Sequence, residues 1–134
     1  MTVELPADYK PSETEEFLNP RQLEYFRQRL EKMRADLSQE LSVIPHPKPD
    51  DGSREGDQAD QASAETERDL EQINRDRVRI LLRQTEQALV RLQNGSFGYC
   101  EDTGEPIGLK RLMAQPTTSL SRDAQEARER RAAR

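Results

Sequence analysis

Asp57 and Asp60 stand three residues apart, with the small Ala62 close behind, in the stretch Asp57-Gln58-Ala59-Asp60-Gln61-Ala62. Paired carboxylates do acid–base work when a rigid, concave pocket holds them. On a slender exposed support they act differently, perturbing a neighbouring site that handles magnesium and nucleotide phosphates. Acids at a helix start also favour its dipole, and residue types alone lean towards that plainer role. His46, the single histidine, lies between Pro45 and Pro47 with no second histidine near it. It therefore suggests neither a metal site nor an acid–base pair. Cys100 is the only cysteine, which excludes an intrachain disulfide and leaves a redox sensor or an inert, partly buried thiol. No catalytic residue is assigned, and the chain is not expected to be an enzyme.

The elements that must position these residues are helices. Asn19 suits an N-cap, Pro20 the first helical position, and Gln22 the third position of a capping box, with Leu18 and Leu23 as a hydrophobic staple. Apolar residues then recur at Leu23, Phe26, Leu30, Met33, Leu37, Leu41 and Ile44, one narrow stripe of near-heptad spacing. Pro45, Pro47 and Pro49 stop that helix, and Asp50-Asp51-Gly52-Ser53 reads as a turn. A second helix is expected over roughly 59–93, with Leu70, Ile73, Ile80, Leu81, Ala88, Leu89 and Leu92 facing its partner and Asn74, Arg77 and Gln84 interrupting them. Asn94-Gly95 ends it.

Two narrow-striped helices joined by one loop predict an antiparallel coiled-coil hairpin, and the fold class is mainly α. The expected layout is an N-terminal arm over 1–18, read as loose, then a hairpin over 19–95 with an acidic tip near 50–62. A small globular head follows over 96–120, and a C-terminal helix over 121–134 starts from Ser121. Tyr99, Ile107, Leu112, Met113 and Leu120 are the candidates for the core of the head.

Composition agrees with solvated helices rather than a large core. Of 134 residues, 32% are hydrophobic, 35% charged and only 4% aromatic. The net charge of −5 argues against general nucleic-acid binding, which needs a basic surface. Between Asp50 and Glu71, nine acids oppose only Arg54 and Arg68, leaving −7, whereas Ser121–Arg134 carries +2. Opposite charges at separate places suggest two different contacts. No basic-then-apolar leader is visible and no apolar run approaches the roughly 20 residues of a membrane span, so a cytoplasmic protein without membrane contact is expected.

The most specific signal is an ordered set in the head: Phe97-Gly98-Tyr99-Cys100-Glu101, then Gly104, Ile107-Gly108, Arg111-Leu112, Ala114 and Pro116. With Asn74-Arg75-Asp76-Arg77 and with Asn19, Gln22-Leu23 and Phe26-Arg27, it resembles the DksA/TraR family of zinc-finger-like transcription factors over roughly 18–126. The resemblance implies a factor that binds bacterial RNA polymerase, inserting the hairpin into its secondary channel. Together with the nucleotide ppGpp, it would alter open-complex stability at ribosomal RNA and other promoters in the stringent response. Asp57, Asp60 and Ala62 correspond to the family's tip motif. Arg77 corresponds to a ppGpp-contacting Arg and Leu81 to its neighbour, while Gln84 and Gln125 stand where the family usually has Lys. Arg83, Arg128, Arg130 and Arg131 are candidates to compensate, although an Arg-rich tail is equally a solvated charge run. A monomer with no sequence-specific DNA reading is implied.

The family head normally holds zinc through CxxC…CxxC. Those positions here read Cys100, Thr103, Ser121 and Ala124. Hydroxyls are poor zinc ligands beside thiolates, so the expectation is a head without zinc, with no cofactor and ppGpp as effector. Two other functions fit less well: a transcript-cleavage or elongation factor of the GreA type, whose acidic tip would help hold magnesium, and a coiled-coil adaptor that leaves polymerase unaffected.

Overall fold

The computed structural model describes residues 3–45 and 58–134. The prolines and acids of 46–57, Asp57 and His46 among them, lie outside the described residues. Four helices follow in order: α1 Pro20–Val43, α2 Gln58–Asn94, α3 Leu109–Ala114 and α4 Arg122–Ala132. Among the described residues no strand forms, and Tyr99 and Pro106 make an isolated antiparallel bridge.

The start of α1 follows from its capping chemistry. The Asn19 side chain accepts from the Gln22 backbone N–H at 3.0 Å. Gln22 Oε1 in turn accepts from the Leu18 N–H at 2.7 Å, one residue earlier than a standard capping box, because the Asn19 N–H is already donated to Glu16 O. Gln22 is fully buried, and its amide also donates to Ser12 O at 3.2 Å. The N-terminal residues, expected to be loose, are thereby folded onto the helix. Tyr9 donates to the Glu15 carboxylate and packs edge-on against Tyr25, and Phe17 packs on Tyr99.

α1 and α2 pack antiparallel, and the α1 stripe is as expected, with Phe26, Leu30 and Ile44 buried. The stripe on α2 is as expected only near the base, where Ala88 and Leu89 are buried; towards the tip Leu70, Ile73 and Ile80 are exposed, whereas Arg75, Val78 and Thr85 are buried. The true seam is a heptad through Arg75, Leu82 and Leu89 and through Val78, Thr85 and Leu92. Arg and Thr in seam positions disguise that period, while apolar residues one step away imitate it.

The core lies at the base of the hairpin, where Phe26, Leu30, Ala88 and Leu89 meet Phe97, Cys100, Ile107, Leu109, Leu112 and Ala124 of the head and α4. The rings of Phe26 and Phe97 are 5.4 Å apart. Tyr99, expected in this core, is instead 42% exposed, and Phe97 fills the place. The alternation is physical. The phenol keeps its hydroxyl near water, and the ring without a polar atom goes inside.

Two glycines control the entry to the head. Gly95, at φ +84°, ends α2, and the Ser96 N–H reaches back to Arg91 O at 3.0 Å. Gly98, at φ +86°, lies directly under Leu18, whose side chain a Cβ there would overlap. Leu18 is itself held at φ +54°. Gly98→Ala is expected to destabilise the protein by about 1–3 kcal/mol through backbone strain plus overlap. Gly95→Ala, which meets nothing within 4 Å, should cost only the backbone part. Chemical denaturation of the two variants side by side measures the difference, and equal losses would refute the role given to Leu18.

Candidate functional site

The tip residues sit at the start of α2. Asp60 is in its first turn and Ala62 is exposed on it, with the Thr66 hydroxyl donating to Ala62 O at 3.0 Å. Asp57 is outside the described residues. At about 1.5 Å per residue, the 37 residues of α2 carry Asp60 roughly 50 Å from the head. This long separation is what the arrangement supplies. It brings a carboxylate on a narrow support to a place the head does not reach.

Arg77 and Leu81 lie one turn apart, midway along α2. Arg77 donates to Glu40 of α1 at 3.1 Å and to Asn74 at 3.0 Å, and it remains half exposed. The two departures from the family pattern are brought together elsewhere. Gln84 and Gln125 line a single polar pocket of about 260 Å³ between α2 and the head, in which Arg91 is the one cation among the described lining residues. Seven residues separate Arg77 from Gln84, about 10 Å along the helix, so these positions form two neighbouring patches. Gln125 accepts from Arg111 at 2.8 Å. Arg83 lines a second, adjacent pocket with Glu86 and Glu101. Arg128 forms a two-point ion pair with Asp102, its Nε donating at 2.8 Å, and remains half exposed.

Cys100, Thr103, Ser121 and Ala124 do converge. The Cys100 N–H donates to Glu105 O at 2.7 Å and the Gly104 N–H to Cys100 O at 2.8 Å, forming a tight knuckle. Ser121 is the N-cap of α4, accepting from the Ala124 N–H at 3.2 Å. Burial pushes the Cys100 thiol up. Hydrogen bonds from the Ser121 backbone and hydroxyl and from Thr103 outweigh it and bring the thiol down to about 6. These hydrogen bonds favour the thiolate, the form that ligates metal.

Comparison with known proteins decides the family. The profile described as DnaK suppressor protein DksA, N-terminal domain, matches residues 22–92. The chain belongs to the DksA/TraR family. A second profile, prokaryotic dksA/traR C4-type zinc finger, matches residues 95–130. An RNA polymerase-binding transcription factor DksA of Caulobacter vibrioides is 49% identical over 125 residues, 93% of this chain and 88% of that protein. Its Escherichia coli counterpart of the same name is 39% identical over 88% of this chain and 77% of its own length. The structure of transcription factor DksA2 from Pseudomonas aeruginosa superposes with a TM-score of 0.69 at 34% identity, covering 88% of this chain and 91% of that one. The helical hairpin with a small head is accordingly the DksA architecture.

The zinc-finger match corrects one expectation. A head without zinc was expected from the loss of three cysteines, yet a C4-type zinc finger profile covers this head and points to zinc binding. The positions themselves offer one thiolate, two hydroxyls and a methyl group. Among the described residues, no group of three or more His, Cys, Asp or Glu side chains could hold a metal ion.

The Arg128 pair fastens α4 of this DksA-family head. Arg128 holds the Asp102 carboxyl below the usual carboxylate range. A depressed folded value means that the pair stabilises fully above the unfolded Asp value of about 3.9 and is lost as pH falls through the folded value. Amide protection factors in α4 should therefore fall on acidification below that range, and Asp102→Asn should show the lower protection already at pH 7. Both carriers are partly exposed, so high salt should weaken the contrast. A variant whose α4 exchanges like the parent at pH 7 would rule the pair out as the fastening.

Proposed function

We propose that this protein is an RNA polymerase-binding transcription factor. The observation that carries this reading is the 49% identity, across nearly the whole chain, to a protein of that name. The geometry agrees with it. A head that buries the base of a hairpin can dock at a rim, and α2 supplies the reach that a narrow channel demands. The polymerase's secondary channel is the entry of that shape, and Asp57, Asp60 and Ala62 are the residues that would approach its catalytic centre. Carboxylates there compete for, or reorganise, groups that handle magnesium and nucleotide phosphates.

The protein acts in this reading as a cytoplasmic monomer without an enzymatic activity of its own and without reading DNA sequence. The anionic effector is ppGpp, held between polymerase and the surface around Arg77 and Leu81. Glutamine at positions 84 and 125 leaves Arg91 as the one cation among the described lining residues of the adjoining pocket, so attraction for a multiply charged nucleotide is weaker there than lysines would make it.

In-vitro transcription from a ribosomal RNA promoter with purified bacterial polymerase tests this. Inhibition is expected, strengthened by ppGpp, and abolished by Asp57→Asn with Asp60→Asn although the variant still binds polymerase. No effect of the parent protein at saturation would overturn the reading. Inhibition indifferent to ppGpp would remove the nucleotide from it, and shortening of RNA in stalled complexes would replace it with a cleavage role.

A further inference from the structure

Arg75 is the one buried arginine in the seam of the hairpin, 4% exposed where a heptad calls for an apolar side chain. Among the described residues no carboxylate accepts from it. Its Nη2 donates to two carbonyls just past α1, that of the C-cap Ile44 at 3.2 Å and that of Pro45, while its Nε is buried with no partner among the described residues. A buried guanidinium left one donor short is costly, so the place it occupies calls for an explanation beyond stability.

The explanation lies in the end of α1. The last carbonyls of a helix have no partner within it, and the dipole leaves them negative. The last turn of α1 contains no basic residue to answer that charge. Arg75 brings a cation from the opposite helix to the two carbonyls that follow that turn. Because α2 is 37 residues long and α1 only 24, the level of Arg75 is also where α1 ends. Residues 58–74 of α2 continue past it, carrying Asp60 on their first turn. The Arg77–Glu40 pair, one step nearer the head, is half exposed and weakly specifying.

We infer that Arg75 is a positioning residue. It pins the end of α1 to one level of α2 and thereby sets the length and direction of the part of α2 that carries the tip. A polar group at a single seam position is a known way to fix helix register at some expense in stability. The role in transcription rests on the function proposed above, whereas the register itself does not. For a positioned group, displacement by about an ångström is enough to cost most of its effect.

The experiment uses the full-length protein with spin labels on non-natural residues at the exposed positions 42 and 63, which spare Cys100. Pulsed dipolar distances are compared for the parent, Arg75→Met and Arg75→Lys. Arg75→Met is expected to stay helical and to bind polymerase with an unchanged midpoint. Its distance distribution should be broader, and its promoter inhibition at saturating protein should be several-fold smaller. Arg75→Lys, which keeps the charge on the carbonyls, should restore most of both. An unchanged distribution in Arg75→Met overturns the inference. Should that variant fail to fold, Arg75→Lys decides. A distribution and saturating effect restored towards the parent's support the pin, and a distribution as broad as an unpinned hairpin's overturns it. If the parent has no effect on polymerase, the functional reading fails, and the distances still judge the pin.

Discussion

The structure depends on one cluster at the hairpin base, where Phe26 and Leu30 of α1 meet Phe97 and Leu112 of the head, all essentially excluded from water. With so few apolar residues in the chain, a continuous core along the hairpin is not available. Burial is therefore concentrated where three segments can share it. The N-terminal residues, the head and α4 are all folded against this point. Towards the tip the seam thins, from Ala88 and Leu89 through Thr85 and Val78 to Arg75. Hydrophobic burial is roughly proportional to area, so the stability of the paired region falls in the same direction.

Where apolar contact is scarce, arginines join the parts. Arg29 of α1 donates to Met113 O at the end of α3, Arg91 of α2 to Thr117 O, and Arg111 of α3 to Leu120 O ahead of α4. Each brings a delocalised cation to backbone carbonyls left over where a helix or turn ends. The chain thus draws double use from its charged residues, which keep long helices solvated and also close the ends of short elements.

What the sequence made legible followed the chemistry of single positions. Asn19, Pro20 and Gln22 announce the start of α1 because caps are local, and its stripe is uninterrupted. Gly95 and Ser121 mark an end and a beginning for the same reason. The facing of α2 was legible at its base, in Ala88 and Leu89, but not towards the tip, because Arg75 and Thr85 occupy seam positions while Leu70, Ile73 and Ile80 form a competing apolar row outside. Only the partner helix decides between two such rows. Phe97 rather than Tyr99 enters the core because neighbours at an alternating knuckle differ by a hydroxyl, not by hydrophobicity class. Among the candidate site residues, Asp60 and Ala62 could be placed on α2 from the motif. That Gln84 and Gln125 share a pocket, and that Arg128 pairs with Asp102, depends on folds of the chain between them, which carry no local mark.

The unequal lengths of α1 and α2 have an evolutionary corollary. Because residues 58–74 run past the last turn of α1, that part of α2 contributes little to the cluster at the base and can change in length without repacking it. Seven residues added or removed there would move the carboxylates by about 10 Å while leaving them on nearly the same azimuth, since a heptad departs from whole turns by only ~20°. Two residues would instead swing them by roughly 200°. Descendants of such a chain would therefore be expected to differ in this segment by whole heptads, a quantised ruler for matching a tip to the depth of whatever passage receives it.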